Sequence, residues 1–207
     1  MKILIVDDHA LFRDGMKFLL QELSDSVEIL EAEDCESAII SARETQFKLV
    51  LMDLKMPGSS GVEALVEFRH ACPESPVVVL SGEGTPSIVR DAIQNGAIGF
   101  LAKSSNHEIM IHALKLVLSG GIYLPASVLA LSDPIVEAQP KIESLTERQL
   151  EVLRNLIEGK TNKVIARNMD VSEHTIKAHL STVFSVLGAK SRTEAVYKAA
   201  KLGVKLF

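Results

Sequence analysis

The chain has 207 residues, enough for one large domain or two small ones. Hydrophobic residues make up 47% of it and charged residues 24%, which is ordinary for a globular protein. No apolar run approaches the roughly 18 residues that a membrane span needs, and the N-terminal residues lack the long apolar region of a signal peptide. We therefore expect a cytoplasmic protein with no membrane association.

Charge is distributed unevenly along the chain. Residues 1–140 contain 10 Lys and Arg against 20 Asp and Glu, whereas residues 141–207 contain 12 against 7. The net charges of the two parts are therefore −10 and +5. An acidic part joined to a basic part indicates two domains, the second of which is attracted to polyanions.

Residues 1–118 alternate between strand-like and helix-like patterns. Short, apolar, β-branched runs are typical of strands buried on both faces, and apolar residues at helical spacing follow each run. Five strands, each followed by a helix, predict a doubly wound five-stranded parallel sheet of the α/β class. The predicted strands cover residues 3–6, 27–32, 49–53, 77–80 and 99–101. The predicted helices cover residues 11–23, 34–44, a segment ending near 70, 86–95 and 106–118.

The regular pattern stops between residues 119 and 143. Glycine and proline residues interrupt this segment, which predicts a linker that contains a short helix over residues 126–131. From residue 144 to residue 207 the pattern is helical throughout, with helices predicted over 146–158, 162–168, 173–187 and 192–202. The second domain is thus expected to be an all-α, four-helix unit.

Two pairs of residues in this second domain match the spacing of a helix capping box. Gly159 and Gly188 stand where two of the predicted helices end. Thr146 precedes Gln149, and Ser191 precedes Glu194, by the required three positions. Both pairs predict the start of a helix.

Polar residues follow the predicted strands of the first domain. Asp7 and Asp8 follow the first strand, Asp53 ends the third, Ser81 follows the fourth and Lys103 the fifth. Functional sites of such sheets lie at the carboxyl ends of the strands, so these residues should converge. Clustered carboxylates repel one another unless a hard cation such as Mg²⁺ lies among them. A carboxylate beside Mg²⁺ and an ammonium can accept a phosphoryl group.

Residues 1–118 resemble the receiver domain of two-component response regulators. The resemblance rests on the pair Asp7-Asp8, on LMDLKMPG at 51–58, on Ser81 and on GAIGFLAK at 96–103. It implies the following roles: Asp53 as phosphoacceptor; Asp8, Asp53 and the backbone carbonyl of Lys55 as Mg²⁺ ligands, with Asp7 acting through water; Ser81 and Phe100 as the switch pair; and Lys103 as the family's lysine.

The helices predicted at 162–168 and 173–187 form a helix-turn-helix pattern. A tight turn leads to Ser172, a favourable N-cap, and the longer helix has one apolar face. Its opposite face presents His174, Thr175, Lys177, Ala178 and Ser181 to DNA.

The segments at 145–153, 159–166, 171–180 and 187–192 resemble the LuxR-type DNA-binding domain. With the receiver, the whole chain is similar to the NarL/FixJ family of response regulators. The resemblance implies that Lys177 reaches base edges, and we take Lys163, Lys190 and Arg192 as candidates for phosphate contacts. It also implies a sensor histidine kinase as phosphodonor, double-stranded DNA as target and a homodimer as the active form.

Three alternatives remain open. A phosphatase that uses Asp53 as nucleophile needs a second acid two residues further on, where this chain has Lys55. A regulator that works through protein contacts alone would not need the acidic set. His9 follows the acidic pair and could be a metal ligand, although a solvent-facing or loop role is favoured.

Overall fold

We describe the fold from a computed structural model. The structure describes residues 1–24, 26–58, 61–82, 84–125 and 142–202. The short helix predicted over residues 126–131 lies outside the described residues. We call residues 1–125 the sheet part and residues 142–202 the helical part.

The sheet part alternates strands and helices, as the hydrophobic pattern predicts. Its strands are β1 (Lys2–Val6), β2 (Glu28–Ala32), β3 (Leu49–Asp53), β4 (Val77–Ser81) and β5 (Gly99–Ala102). Its helices are α1 (Ala10–Gln21), α2 (Cys35–Glu44), α3 (Glu63–Ala71), α4 (Pro86–Gln94) and α5 (His107–Leu118).

The five strands form one parallel sheet in the order β2-β1-β3-β4-β5. Successive side chains of a strand point to opposite faces. Leu4 and Val50 accordingly join one apolar layer, while Ile3 and Leu49 join the other. Apolar layers on both faces confirm the predicted doubly wound α/β architecture, which brings all five carboxyl strand ends to one edge.

The helical part contains a short 3₁₀ turn followed by four helices packed round one apolar core. Its elements are the turn Ile142–Ser144 and the helices α6 (Glu147–Ile157), α7 (Asn162–Met169), α8 (Glu173–Leu187) and α9 (Arg192–Lys201). This arrangement confirms the four predicted helices. Among the helices that the structure describes, none is long and apolar enough to cross a bilayer.

Only one of the two predicted capping boxes is complete. Thr146 and Gln149 satisfy each other's backbone N–H groups at the start of α6. At the start of α9, Ser191 Oγ accepts from the N–H of Glu194 at 3.1 Å, but the Glu194 carboxylate accepts from the N–H of Lys190 instead. A Glu side chain can reach either amide, so the spacing alone does not decide which one it binds.

Two contacts extend the core of the sheet part beyond α5. The N–H of Phe100 donates to the carbonyl of Tyr123 at 3.0 Å, so the segment after α5 pairs with the outer edge of β5. Tyr197 of α9 is buried in the same apolar layer as Val89 and Phe100. The helical part therefore contributes an aromatic side chain to the sheet part.

The contribution of the core can be tested at Phe68, which is fully buried in α3. We expect Phe68→Ala to lower the free energy of unfolding of the sheet part by about 3–5 kcal/mol, because it leaves a cavity. Urea unfolding followed by circular dichroism measures this change. Phe18→Ala is the matched control, since Phe18 is 71% exposed and its loss should change stability by less than about 0.5 kcal/mol. Equal effects of both variants would contradict the packing described here.

Candidate functional site

Strand register brings Asp7 and Asp53 together. Val6 pairs with Met52 across β1 and β3, and each aspartate is the next residue along its strand. Both carboxylates therefore leave the sheet side by side, and both are buried. Their position at the carboxyl edge agrees with the prediction made for this class of sheet.

Lys103 lies between these two carboxylates. Its Nζ is 2.7 Å from Asp53 Oδ2, to which it donates a hydrogen bond, and 2.7 Å from Asp7 Oδ2. The contact with Asp7 lacks hydrogen-bond alignment, so we treat it as a charge attraction. A buried carboxylate is very costly without such a partner, and one ammonium here serves two.

The surroundings of Lys103 keep it charged. Burial by itself disfavours the ammonium, but the carboxylates of Asp53 and Asp7 outweigh that effect and raise the pKa of Lys103 above its ordinary value. The ammonium also lies 4.7 Å from the centre of the Phe12 ring, within the range of a cation–π contact. The pocket therefore contains a fixed positive charge.

Asp8 and His9 complete the cluster. Ligand atoms of Asp7, Asp8, His9 and Asp53 all lie within 4.8 Å of one another. His9 Nδ1 is 2.8 Å from Asp8 Oδ1 and 3.2 Å from Asp7 Oδ1. The imidazole is 66% exposed, as a loop role predicts, yet its ring nitrogen faces two of the acids. His9 is therefore a fourth potential metal ligand in the cluster.

The cluster fits a divalent cation. Asp53 Oδ1 is buried and has no hydrogen-bond partner among the described residues, although buried carboxylate oxygens are normally satisfied. The donors are carboxylate oxygens, which hard cations such as Mg²⁺ prefer. Asp7, Asp8 and Asp53 bring three carboxylates close to the single ammonium of Lys103, which leaves an excess of negative charge. Both the orphan oxygen and this charge excess favour an added cation.

The remaining predicted pocket residues lie nearby. Ser81 is buried at the end of β4, and its carbonyl accepts from the N–H of Lys103 at 2.8 Å. Lys55 is exposed and lines the same cavity as Asp53 and Lys103. Phe100 of β5 is fully buried, in the apolar layer that also contains Val89 of α4 and Tyr197. Their roles as switch pair and cation ligand stay predictions.

The acidic pocket opens into an apolar groove between α1 and α5. The cavity has a volume of about 730 Å³ and runs from Asp53 past Phe12 and Leu19 to Met110. At its rim, Leu11 is 86% exposed. Leu11 and the apolar groove together form a candidate contact surface for another protein.

The second candidate surface is the helix-turn-helix of α7 and α8. Asp170 ends α7 in a left-handed conformation at φ 54°, which turns the chain sharply. Ser172 then caps α8 by accepting from the N–H of Thr175 at 3.1 Å. Ile176 and Leu180 bury one face of α8 in the helical core, so the opposite face is free to enter a groove of DNA.

The structure exposes most of the residues predicted to contact DNA. Thr175 is half-buried, and its hydroxyl lies 2.9 Å from the Ser172 hydroxyl within the cap. The exposed residues are Lys163, His174, Lys177, Ala178, Ser181 and Lys190.

Arg192 is placed differently from the other predicted phosphate contacts. Its guanidinium donates to the carbonyl of Lys160 and, at 3.2 Å, to Asn162 Oδ1, where it ties α9 to the start of α7. Burial lowers the pKa of this guanidinium to about 10. In this structure Arg192 therefore holds two helices together, and its contact with a phosphate stays a prediction.

The acidic loop, residues 7–9, connects β1 to α1. Sequence reasoning missed Arg13, which is buried beside this loop. A signal for it exists, since Arg13 shares the helical spacing of Met16 and Leu20, the buried apolar residues of α1. A charged residue on the apolar face of a helix requires buried partners. Tyr197, by contrast, follows the helical pattern of α9, and no local pattern shows that it packs against another part of the chain.

Two family models match the chain. Residues 3–115 match the response regulator receiver domain, and residues 143–199 match the bacterial regulatory proteins of the luxR family. The glycerol metabolism activator of Pseudomonas putida is 35% identical over 97% of this chain and 96% of its own length. The nitrate/nitrite response regulator protein NarL of Escherichia coli K12 is 32% identical over 93% of this chain and 92% of its own length.

Solved structures agree with these matches. A LuxR family DNA-binding response regulator from Silicibacter pomeroyi superposes with a TM-score of 0.55 at 34% identity. The superposition covers 61% of this chain and 98% of that one. The chain therefore belongs to the two-component response regulators that join a receiver to a LuxR-type DNA-binding domain, a family that controls transcription.

The role of Lys103 in balancing the buried acids predicts a pH-dependent loss of stability. We expect Lys103→Gln to lower the free energy of unfolding by about 2 kcal/mol at pH 8, because two buried carboxylates lose their partner. The pKa of Lys103 is raised in the folded protein. Its contribution is therefore complete below the ordinary lysine pKa of about 10.4 and is lost as the pH rises through the folded value.

Urea unfolding of both proteins from pH 7 to pH 11 measures this difference. Lys48→Gln is the matched control, since Lys48 is exposed and its removal should cost less than about 0.5 kcal/mol. A difference between wild type and Lys103→Gln that persists undiminished at pH 11 would show that the ammonium is not its cause.

Proposed function

We propose that this response regulator is phosphorylated on Asp53 by a sensor histidine kinase and that the aspartyl phosphate controls DNA binding. The observation that carries the proposal is the Asp53 carboxylate itself. One of its oxygens is bound by Lys103 at 2.7 Å, and the other is buried beside Asp7 and Asp8 with no hydrogen-bond partner in the part of the chain that the structure describes. The phosphoryl acceptor is a side chain of the protein, so the reaction has no separate substrate.

The two oxygens of Asp53 have different roles in this proposal. One oxygen would bind the cation, and the other attacks phosphorus. The phosphorus–nitrogen bond to the kinase histidine breaks, and the released imidazole takes up a proton. Lys103 remains beside the acceptor, where its ammonium can bind an oxygen of the transferred group. The hydroxyl of Ser81, at the neighbouring strand end, donates a hydrogen bond to the phosphate once that group is in place.

Mg²⁺ is the cation that we assign to the acidic cluster. Asp8 and Asp53 would hold it directly together with the carbonyl of Lys55, and Asp7 would act through a water molecule. When bound, Mg²⁺ neutralises negative charge on the phosphoryl oxygens. Its oxygen preference and its retained waters suit a cluster in which Asp8 is partly exposed, with 29% of its side chain accessible.

The groove between α1 and α5 is our candidate binding surface for the kinase. It is continuous with the Asp53 pocket, and its apolar rim includes Leu11. A helix that carries the phosphohistidine could lay apolar side chains along this groove and so place the phosphorus over Asp53.

Phosphorylation of Asp53 can be tested with a small donor. We expect acetyl phosphate with Mg²⁺ to add one phosphoryl group to the wild-type protein and none to Asp53→Asn, because an amide lacks the nucleophilic carboxylate. Intact-mass spectrometry and peptide mapping measure the product, and EDTA should abolish it. Asp14→Asn is the matched control because Asp14 is an exposed acid of α1; it should label as the wild type does. Undiminished labelling of Asp53→Asn would assign the acceptor to another residue.

The exposed face of α8 is the proposed reader of DNA sequence. Lys177 and Ser181 lie there one turn apart, on the side opposite Ile176. Lys163 and Lys190 flank the helix and provide charge for the phosphate backbone. Lys177 and Glu173 are the only Lys, Arg, Asp or Glu residues of α8, so the helix contributes little net charge of its own. We therefore propose that phosphorylation favours a homodimer that reads two half-sites.

Lys177 should discriminate among DNA sequences. We expect Lys177→Ala to weaken binding to a site selected from random duplexes by about 5- to 150-fold, because a lost base contact costs about 1–3 kcal/mol. Binding to unrelated duplexes should change much less. Fluorescence anisotropy with both duplexes measures this difference.

Two further variants distinguish contacts with bases from contacts with phosphates. Lys163→Ala should weaken binding to both duplexes alike and lower the salt slope by about one. Arg148→Ala, which removes a side chain of α6 that is 66% exposed, should leave both affinities unchanged. An equal effect of Lys177→Ala on the selected and unrelated duplexes would mean that Lys177 contacts only phosphates.

We further propose that residues 1–118 act as the receiver, 119–143 as the linker and 144–207 as the DNA-binding domain. The separate family matches support this division. The pairing of Tyr123 with β5 means that the linker starts on the sheet itself, next to Phe100. A change at Phe100 would thus reach the linker through one backbone hydrogen bond.

A further inference from the structure

Arg13 connects the acidic loop after β1 to a part of the sheet edge that contributes no cation ligand. Its Nη1 donates to the backbone carbonyl of Asp7 at 2.6 Å. Its Nε donates to Glu31 at 2.9 Å, and its Nη2 donates to Glu33 at 2.7 Å. One buried guanidinium thus joins α1, the acidic loop and the end of β2.

The loop has few other constraints on its backbone. The N–H of Asp7 donates to the carbonyl of Ala32 at 3.1 Å, and Asp7 Oδ1 accepts from the N–H of His9 at 2.9 Å. His9 caps α1 without a side-chain hydrogen bond. The carbonyl of Asp7 therefore depends on Arg13 for its place, and Asp8 is the next residue along the chain.

The geometry points to Arg13 as a positioning residue for the acidic loop: held by Glu31 and Glu33, it orients Asp7 and Asp8 to bind the divalent cation. Arg13 itself carries a positive charge, and its only hydrogen bond to the acidic loop among the described residues is to the backbone carbonyl of Asp7, not to a proposed ligand atom. The inference rests on the cation site of the proposed function. It adds the end of β2 to the structures that determine cation affinity.

If Arg13 acts only through its charge, its removal should change the cation affinity in one direction; if it positions the ligands, its removal should change the affinity in the opposite direction. A positive charge near a cation site repels the cation, so its removal alone would tighten binding. Loss of a residue that orients the ligands weakens binding, typically by about 10- to 100-fold for such outer contacts. The sign of the change in affinity therefore decides between them.

Mn²⁺ followed by electron paramagnetic resonance provides the measurement, because the probe binds carboxylate clusters and its free form is directly visible. We expect Arg13→Gln to weaken Mn²⁺ binding about tenfold and Arg13→Lys to recover part of that loss. Lys17→Gln is the matched control: Lys17 of α1 also pairs with Glu31, at 2.5 Å, and with Asp14, but among the described residues it makes no hydrogen bond to the loop backbone. That variant should bind Mn²⁺ as tightly as the wild type, or slightly more tightly.

A second variant covers the case in which Arg13→Gln does not fold. The double variant Glu31→Asp with Glu33→Asp keeps every charge but withdraws both carboxylates from Arg13 by one methylene. Glu33 is 72% exposed and Glu31 35% exposed, so the core is not disturbed. We expect about threefold weaker Mn²⁺ binding.

Three results would overturn the inference. A folded Arg13→Gln that binds Mn²⁺ as tightly as the wild type, or more tightly, would reduce Arg13 to a structural or electrostatic role. Unchanged affinity in the double glutamate variant would do the same. A wild-type protein that binds no Mn²⁺ would contradict the cation site itself and this inference with it, a failure that the wild-type titration shows separately.

Discussion

The buried contact of one ammonium with two carboxylates organises this molecule. Lys103 can reach both Asp7 and Asp53 only because β1, β3, β4 and β5 are parallel and in the observed register, so that their carboxyl ends meet. Burying two carboxylates is unfavourable, and the ammonium offsets part of that cost. Among the described residues, Asp53 Oδ1 has no hydrogen-bond partner, so the buried cluster keeps an unsatisfied oxygen at the carboxyl edge of the sheet.

The two domains differ in the sign of their clustered charges and in the elements that carry them. The receiver concentrates carboxylates at a sheet edge, in a cluster that could hold a metal ion. The DNA-binding domain instead exposes lysines around a helix with a buried apolar face, and such charges remain solvated until they meet phosphates. The opposite net charges of the two parts of the chain follow from these roles. Tyr197 of the DNA-binding domain packs in an apolar layer of the receiver.

Prediction from sequence succeeded where the signal is local. The strand after Met1, the helix after Ser172 and the complete cap at Thr146 each depend on residues within a few positions of one another. Hydrophobic period and cap chemistry act at that range. The incomplete cap at Ser191 shows the limit, because Glu194 had two amides within reach and only the folded turn selected one.

The amino-acid sequence by itself determined the elements, their order and which strand ends carry acids, a hydroxyl and a lysine. Tertiary structure decided the pairings: Lys103 with two acids, His9 with Asp8, Arg13 with Glu33, and the burial of Arg192 against α7. The physical reason is range. Local periodicity reports which face of an element is buried, but the partner on that face comes from residues that are distant in the chain and adjacent only after folding.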